Sequence, residues 1–177
     1  MSRRPDDFIR FLKGLRAIRE YTPDPVSDDA LEDILEVARW SGSASNRQPV
    51  ELVVVRDPAV RQKMADNGAR AAGSAPVAIL TVTPGDPERP ELEAFDNGRM
   101  VERLMLAARA HGLGSNVMTL KGEGPEIIRR ELGIPPGRKV WTVVSIGHID
   151  REARRARPPN PNAGRRPLDA FVHWERW

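Results

Sequence analysis

The end of this chain constrains it most. From Asp150 onward the sequence is rich in Arg, Pro and Asn, and it closes with Phe171-Val172-His173-Trp174-Glu175-Arg176-Trp177. Such a stretch has no apolar period from which to build a core of its own, yet Trp and Phe side chains gain most when they are buried against another surface. It either folds back on its own body or reaches out as an arm around a second copy, and the arm is the more economical reading. What precedes it is long enough for one hydrophobic core and short for two. We therefore expect one domain over residues 1–177, with 150–177 as an extended C-terminal arm.

Composition narrows the chemistry. The 177 residues include no cysteine, which removes disulfides, thiolate nucleophiles and Cys-type metal sites together. The histidines His111, His148 and His173 show no metal-ligand spacing. No apolar run is long enough for a membrane span, and the charged start does not resemble a secretion signal, so a cytoplasmic protein is expected. Basic residues outnumber acidic ones by 28 to 25, too mild an excess to argue for nucleic acid. Only Lys13, Lys63, Lys121 and Lys139 among the basic residues are lysines. Arginine forks suit phosphate and carboxylate, though an arginine bias equally follows from genome composition or heat adaptation.

Periodicity gives the elements. Phe8, Ile9, Phe11, Leu12 and Leu15 mark a helix over 7–15 with one buried face, stopped by Thr22-Pro23-Asp24-Pro25. Ser27 is placed to cap a second helix whose first turn holds Asp28 and Asp29, with Leu31, Ile34, Leu35 and Ala38 inward and Gly42 closing it. Residues 52–55 read as a buried strand, 58–72 as a helix opened by Pro58, and 76–82 as a second strand. The longest helical stretch covers 91–111 and ends at Gly112-Leu113-Gly114. A short helix over 125–132 and a third strand over 139–146 follow. Helices interrupt the strands irregularly and no glycine fingerprint follows the first strand. That favours an α+β class, a layered sheet with flanking helices, over a doubly wound dinucleotide fold.

No acid–base machine is visible: no Ser or His stands in a nucleophile motif, and no Walker loop is present. Hard chemistry would then belong to a cofactor. Three polar segments stand out: Leu15-Arg16-Ala17-Ile18-Arg19; Ser41-Gly42-Ser43-Ala44-Ser45-Asn46-Arg47-Gln48-Pro49; and Gly164-Arg165-Arg166-Pro167-Leu168. Singly, each is as well explained by a solvated face or an ordinary loop.

In this order and at these separations they resemble the nitroreductase-like flavoprotein family. Arg16-Ala17-Ile18-Arg19-Glu20-Tyr21 with Pro25-Val26 is similar to its Arg-Ser-(Ile/Val)-Arg-x-(Phe/Tyr) opening, and the run from Ala38 to Val50 to its Pro-Ser-x-x-Asn-x-Gln-Pro-Trp segment. Leu106 to Ser115 resembles its Gly-Leu-Gly-Ser helix end, Leu132-Gly133-Ile134-Pro135 its Leu-Gly-Ile-Pro, and Arg165-Arg166-Pro167-Leu168-Asp169 its basic C-terminal segment. The resemblance spans nearly the whole chain, and Asn46-Arg47-Gln48-Pro49 is its most specific part.

The resemblance implies an intertwined homodimer holding FMN at the subunit interface, with NAD(P)H as electron donor. It implies ping-pong transfer of hydride through flavin N5 to a small-molecule acceptor such as a nitroaromatic or quinone, without membrane or nucleic-acid partners. The positions matching cofactor contacts are Arg16, Ala17 and Arg19, with Arg165 or Arg166, for phosphate and ring. From the second copy come Ser43, Ala44 and Asn46, with Gln48 nearby. Arg19 falls where a positive charge near N1 and C2=O raises the reduction potential. The backbone N–H facing N5 falls, by ungapped count, within Thr119-Leu120-Lys121-Gly122. Asn67 and Arg70 are further candidates. No side chain is nominated as catalytic. The chain departs from the family pattern at Leu15, Ala17, Gly42, Ala44 and Val50. Two alternatives stay open: a flavin-binding member specialised for oxidation or flavin breakdown without NAD(P)H, and a binder of anionic partners or nucleic acid through the arginine-rich tail.

Overall fold

A computed structural model describes residues 5–160 and 164–177. Residues 1–4, and residues 161–163 within the expected arm, lie outside it. The helices are α1 (Pro5–Lys13), α2 (Asp28–Arg39), α3 (Pro58–Asp66), α4 (Pro90–Ala110), α5 (Gly124–Glu131) and α6 (Arg151–Ala156). The strands are β1 (Glu51–Val55), β2 (Val77–Thr83), β3 (Gly114–Thr119) and β4 (Lys139–Gly147). They form one sheet in the order β1-β2-β4-β3, and every neighbouring pair is antiparallel.

The sheet divides the core by strand alternation. Val77 and Ile79 of β2 with Val144 and Ile146 of β4 face α2 and α4, meeting Ile34, Ala38, Leu104 and Ala108. Ala78, Leu80 and Val82 with Val143 face α3 and α5, meeting Met64, Leu120 and Ile128. Two-sided burial explains why β2 is apolar at nearly every position. The Ser27 hydroxyl accepts the Ala30 N–H at 3.3 Å, capping α2 as expected. At the far end of α4, Gly112 adopts φ +72°. The Leu113 N–H returns to Ala108 O at 3.0 Å and the Gly112 N–H to Arg109 O at 3.0 Å, a double closure that needs a residue tolerant of the left-handed region.

The structure departs from the sequence reading in several places. β3 lies where no strand was expected, because its first residues, Gly114, Ser115 and Asn116, are small or polar yet buried, and no apolar alternation marks them. β1 is an edge strand with only Val55 buried. α2 ends at Arg39 with Trp40 as its cap, so Gly42 does not close it. The expected 58–72 helix breaks at Asn67 into α3 and a single 3-10 turn (Arg70–Ala72). α1 has no buried residue, and its Phe8, Ile9 and Leu12 are exposed. The tail begins with a short helix, α6, capped by the Asp150 carboxylate accepting the Ala153 N–H at 2.9 Å.

Candidate functional site

The 16–19 segment is pinned at alternate residues. The Ile18 N–H donates to Ser115 O at 2.8 Å, and Ala17 bridges Ser115 in parallel register. Ile18 is buried against Gly114, where a Cβ would lie 2.7 Å from Ile18 Cγ2. Tyr21 is buried too, its hydroxyl 2.5 Å from Ile18 O and 3.1 Å from Ser145 O. Burial, then the nearby Glu20 carboxylate, pushes its phenol above the ordinary range, so it remains a neutral donor. With Ile18 and Tyr21 turned inward, Arg16 and Arg19 are left in solvent.

They open onto a concavity of about 430 Å³ lined by Arg16, Ala17, Arg19, Glu20, Arg154, Arg157, Pro158, Pro159 and Asn160. Four guanidinium groups meet there against one carboxylate, and Glu20 is already paired with Arg157 at 3.1 Å. Arg16 folds back on the end of α1, donating to Lys13 O and Leu15 O at 2.8 and 2.7 Å. A net charge of +3 on such a wall suits a phosphate dianion, which takes several guanidinium donors at once. Arg154 and Arg157 were not singled out for this role from sequence. Their signal was the i, i+3 spacing behind an Asp cap, which lays both on one side of α6 and its exit.

The second cluster is the 43–48 loop between α2 and β1. Ser45, Asn46 and Gln48 all have positive φ, near +51° to +53°. Three such residues without a glycine among them are a costly local choice, tolerated where surroundings over-determine it. The Ser43 hydroxyl accepts the Gln48 N–H at 2.8 Å and Ser43 O accepts the Asn46 N–H at 3.0 Å, so the loop is partly knotted on itself. The Asp96 carboxylate of α4 accepts the Ala44 N–H at 3.3 Å. Two cavities flank the loop, of about 230 and 160 Å³, and Asp96 lines both.

The remaining candidates lie apart. Thr119-Leu120-Lys121-Gly122 forms the turn from β3 to α5, with Leu120 buried and Gly122 at φ +55°. Its Lys121 N–H is already given to Asn67 O at 2.8 Å, so an outward-facing amide has to come from another residue of the turn. Asn67 thereby braces that turn, while Arg70 is exposed. Arg165 and Arg166 line a separate shallow concavity with Leu168 and Phe171, and Arg166 lies over the Phe171 ring at 5.7 Å. Within one chain, then, Arg16, Ala17 and Arg19 share one cavity, Ser43, Ala44 and Gln48 line the pair beside α4, and the tail arginines stand elsewhere.

Against known proteins, the family model described as Nitroreductase family matches residues 12–74 and 66–148. An NADH dehydrogenase of Thermus thermophilus is 30% identical, the match covering 90% of this chain and 91% of that one. An FMN reductase [NAD(P)H] of Bacillus subtilis is 27% identical over 87% of this chain and 71% of its own. Among solved structures, an FMN-dependent nitroreductase of Clostridium difficile superposes with a TM-score of 0.78 at 26% identity, covering 96% of this chain and 99% of that one. With the family model spanning most of the chain and the fold reproduced from end to end, this protein belongs to the nitroreductase family.

Proposed function

We propose that the protein is an FMN-dependent oxidoreductase that works as a cytoplasmic homodimer, each FMN held between two copies. The observation that carries the reading is the gathering of Arg16 and Arg19 with Arg154 and Arg157 around one concavity. Bound FMN would supply the redox chemistry, accepting hydride at N5 from NAD(P)H and returning it to an electron-poor acceptor in a ping-pong cycle. The chain's task is to bind, orient and bias. Arg16, Arg19 and the α6 arginines hold the phosphate, and Arg19 sets positive charge toward the pyrimidine edge. Ser43, Ala44, Asn46 and Gln48 of the second copy offer small side chains and amides to the ring, and the 119–122 turn offers a backbone donor. Arg165 and Arg166 reach the site on the arm of a copy rather than within one chain. No general base is required of the protein, in keeping with the absence of any nucleophile or base motif.

Three exposed apolar sets support the second copy. They are Phe8, Ile9 and Leu12 on α1; Val37, Trp40, Leu92 and Phe95 where α2 ends and α4 begins; and Leu168, Phe171, Trp174 and Trp177 on the tail. Trp174 is 84% exposed on its own chain. Apolar surface on this scale seeks a partner, and tail aromatics that do not pack on their own body favour an arm around another.

Purified protein is expected to be yellow and dimeric, with the two visible flavin bands, and to bleach on addition of NADH or NADPH. Retained colour that neither nucleotide bleaches would favour the specialised flavin-binding alternative. A colourless monomer that stays so in excess FMN would end the proposal.

A further inference from the structure

Two carboxylates one turn apart on α4 are both buried, and they are treated differently. Glu93 is saturated: it accepts the Thr83 hydroxyl at 2.5 Å and the Gly85 N–H at 3.2 Å on one oxygen, and the Asp86 N–H at 2.9 Å on the other. That set is a structural clasp joining α4 to the end of β2. Asp96, 4% exposed, has far less. One oxygen accepts the Ala44 N–H at 3.3 Å, Arg99 Nη1 stands 4.0 Å from the other, and that second oxygen has no hydrogen-bond partner. Asp96 is the seventh residue of α4, beyond the first turn where the helix dipole would favour its charge. A buried carboxylate so poorly compensated costs the fold stability, and apolar replacements of such groups are often neutral or stabilising. Its one hydrogen bond, long at 3.3 Å, runs to the loop with three positive-φ residues, and it lines the cavities on both sides of that loop. Arg99 joins it, its guanidinium lying over Gly42.

We infer that Asp96 is a positioning residue, which holds the 43–48 loop of one copy in the strained form that meets the flavin of the other. Glu93 serves the fold, whereas Asp96 serves the loop at the fold's expense. The inference rests on the loop's role under the proposed function.

The test uses the full-length chain with Asp96→Leu and Asp96→Asn, reading the FMN dissociation constant by flavin fluorescence and the melting temperature of FMN-free protein. Leu removes the acceptor and the charge. FMN affinity should fall roughly tenfold, the worth of about one hydrogen bond to a charged group, while the melting temperature stays level or rises. Asn keeps an oxygen for the Ala44 N–H and should stay within about threefold of the original affinity. Unchanged affinity in Asp96→Leu would overturn the inference. So would a melting temperature that falls along with affinity, a leucine variant that cannot be recovered folded, or an asparagine variant as weak as leucine. Failure of the underlying reading has a separate signature. In that case the unmutated protein binds no FMN, or Ser43→Ala with Asn46→Ala leaves its affinity unchanged, and the inference falls with it.

Discussion

The two walls of the candidate site are built on opposite principles. Around Arg16 and Arg19 the backbone is ordinary extended chain, tied down through Ile18 and Tyr21, and recognition resides in long charged side chains. Around Ser43 and Asn46 the side chains are short and the backbone itself is the unusual part, with positive φ at Ser45, Asn46 and Gln48. The difference teaches where each wall can drift in sequence. A guanidinium is replaceable by any other that reaches the same cavity, and under the proposed function Arg154 and Arg157, from α6 and its exit, share the phosphate with Arg16 and Arg19. Backbone shape has no such substitutes. If Asp96 positions the loop, its upkeep falls on groups behind it, Asp96 and the Arg99 beside it.

The largest effect should come from separating the walls altogether. If the arm joins two copies, a chain ending at residue 160 loses Trp174, Trp177, Arg165 and Arg166, and should sediment as a monomer that retains no FMN. A truncated chain still dimeric and yellow would show that both walls meet without the arm. Next is Arg19→Ala, which removes charge from the side-chain wall alone. A charge-assisted hydrogen bond contributes about 1.5–3 kcal/mol, so FMN affinity should drop roughly 10- to 100-fold. Its dependence on salt should weaken as well, since one screened attraction is gone. Unchanged retention would remove Arg19 from the site. Arg157→Ala should do less, because Arg157 is already shared with Glu20.

Legibility followed the same division. Arg16 and Arg19, singled out together by their spacing, do line one concavity. Most of the fold was equally plain, since β2, β4, α2 and α4 carry apolar periods that match their burial. What escaped was set by tertiary context. β3 hides behind Gly114, Ser115 and Asn116, whose burial follows from Ile18 and β4 lying against them. The face of α1 expected to be buried holds no buried residue, and Phe11 meets the body under the Arg109 guanidinium. Arg154 and Arg157 belong to a tail without apolar period, where only the Asp150 cap marks a helix. Asp96 gave no signal at all, because a lone Asp in a long amphipathic helix is ordinarily solvated, and only the orphaned oxygen in the folded chain sets it apart.

The smallest effect concerns two exposed carboxylates, of which Glu36 pairs with Arg39, a residue lining the smaller cavity beside the 43–48 loop. Glu36 on α2 donates no proton at neutral pH and instead accepts from Arg39 and Trp40, and those bonds lower its carboxyl from 4.5 to about 2. Glu126 on α5 is lowered likewise to about 2 by its bonds from Arg129 and Arg130. A folded-state value below the unfolded one means the ionised form favours folding. The contribution is complete above the ordinary carboxylate range and disappears as pH falls toward 2. Both carboxylates stand in solvent, where such pairs contribute little. Melting temperature should therefore stay flat from neutral pH down to the carboxylate range through these groups. Glu126→Gln should slightly flatten the acid limb and leave FMN affinity untouched, in contrast to Arg19→Ala. A loss of FMN in this variant would mean that surface charge outside both walls steers the anion, and the division between a wall of charge and a wall of shape would have to be redrawn.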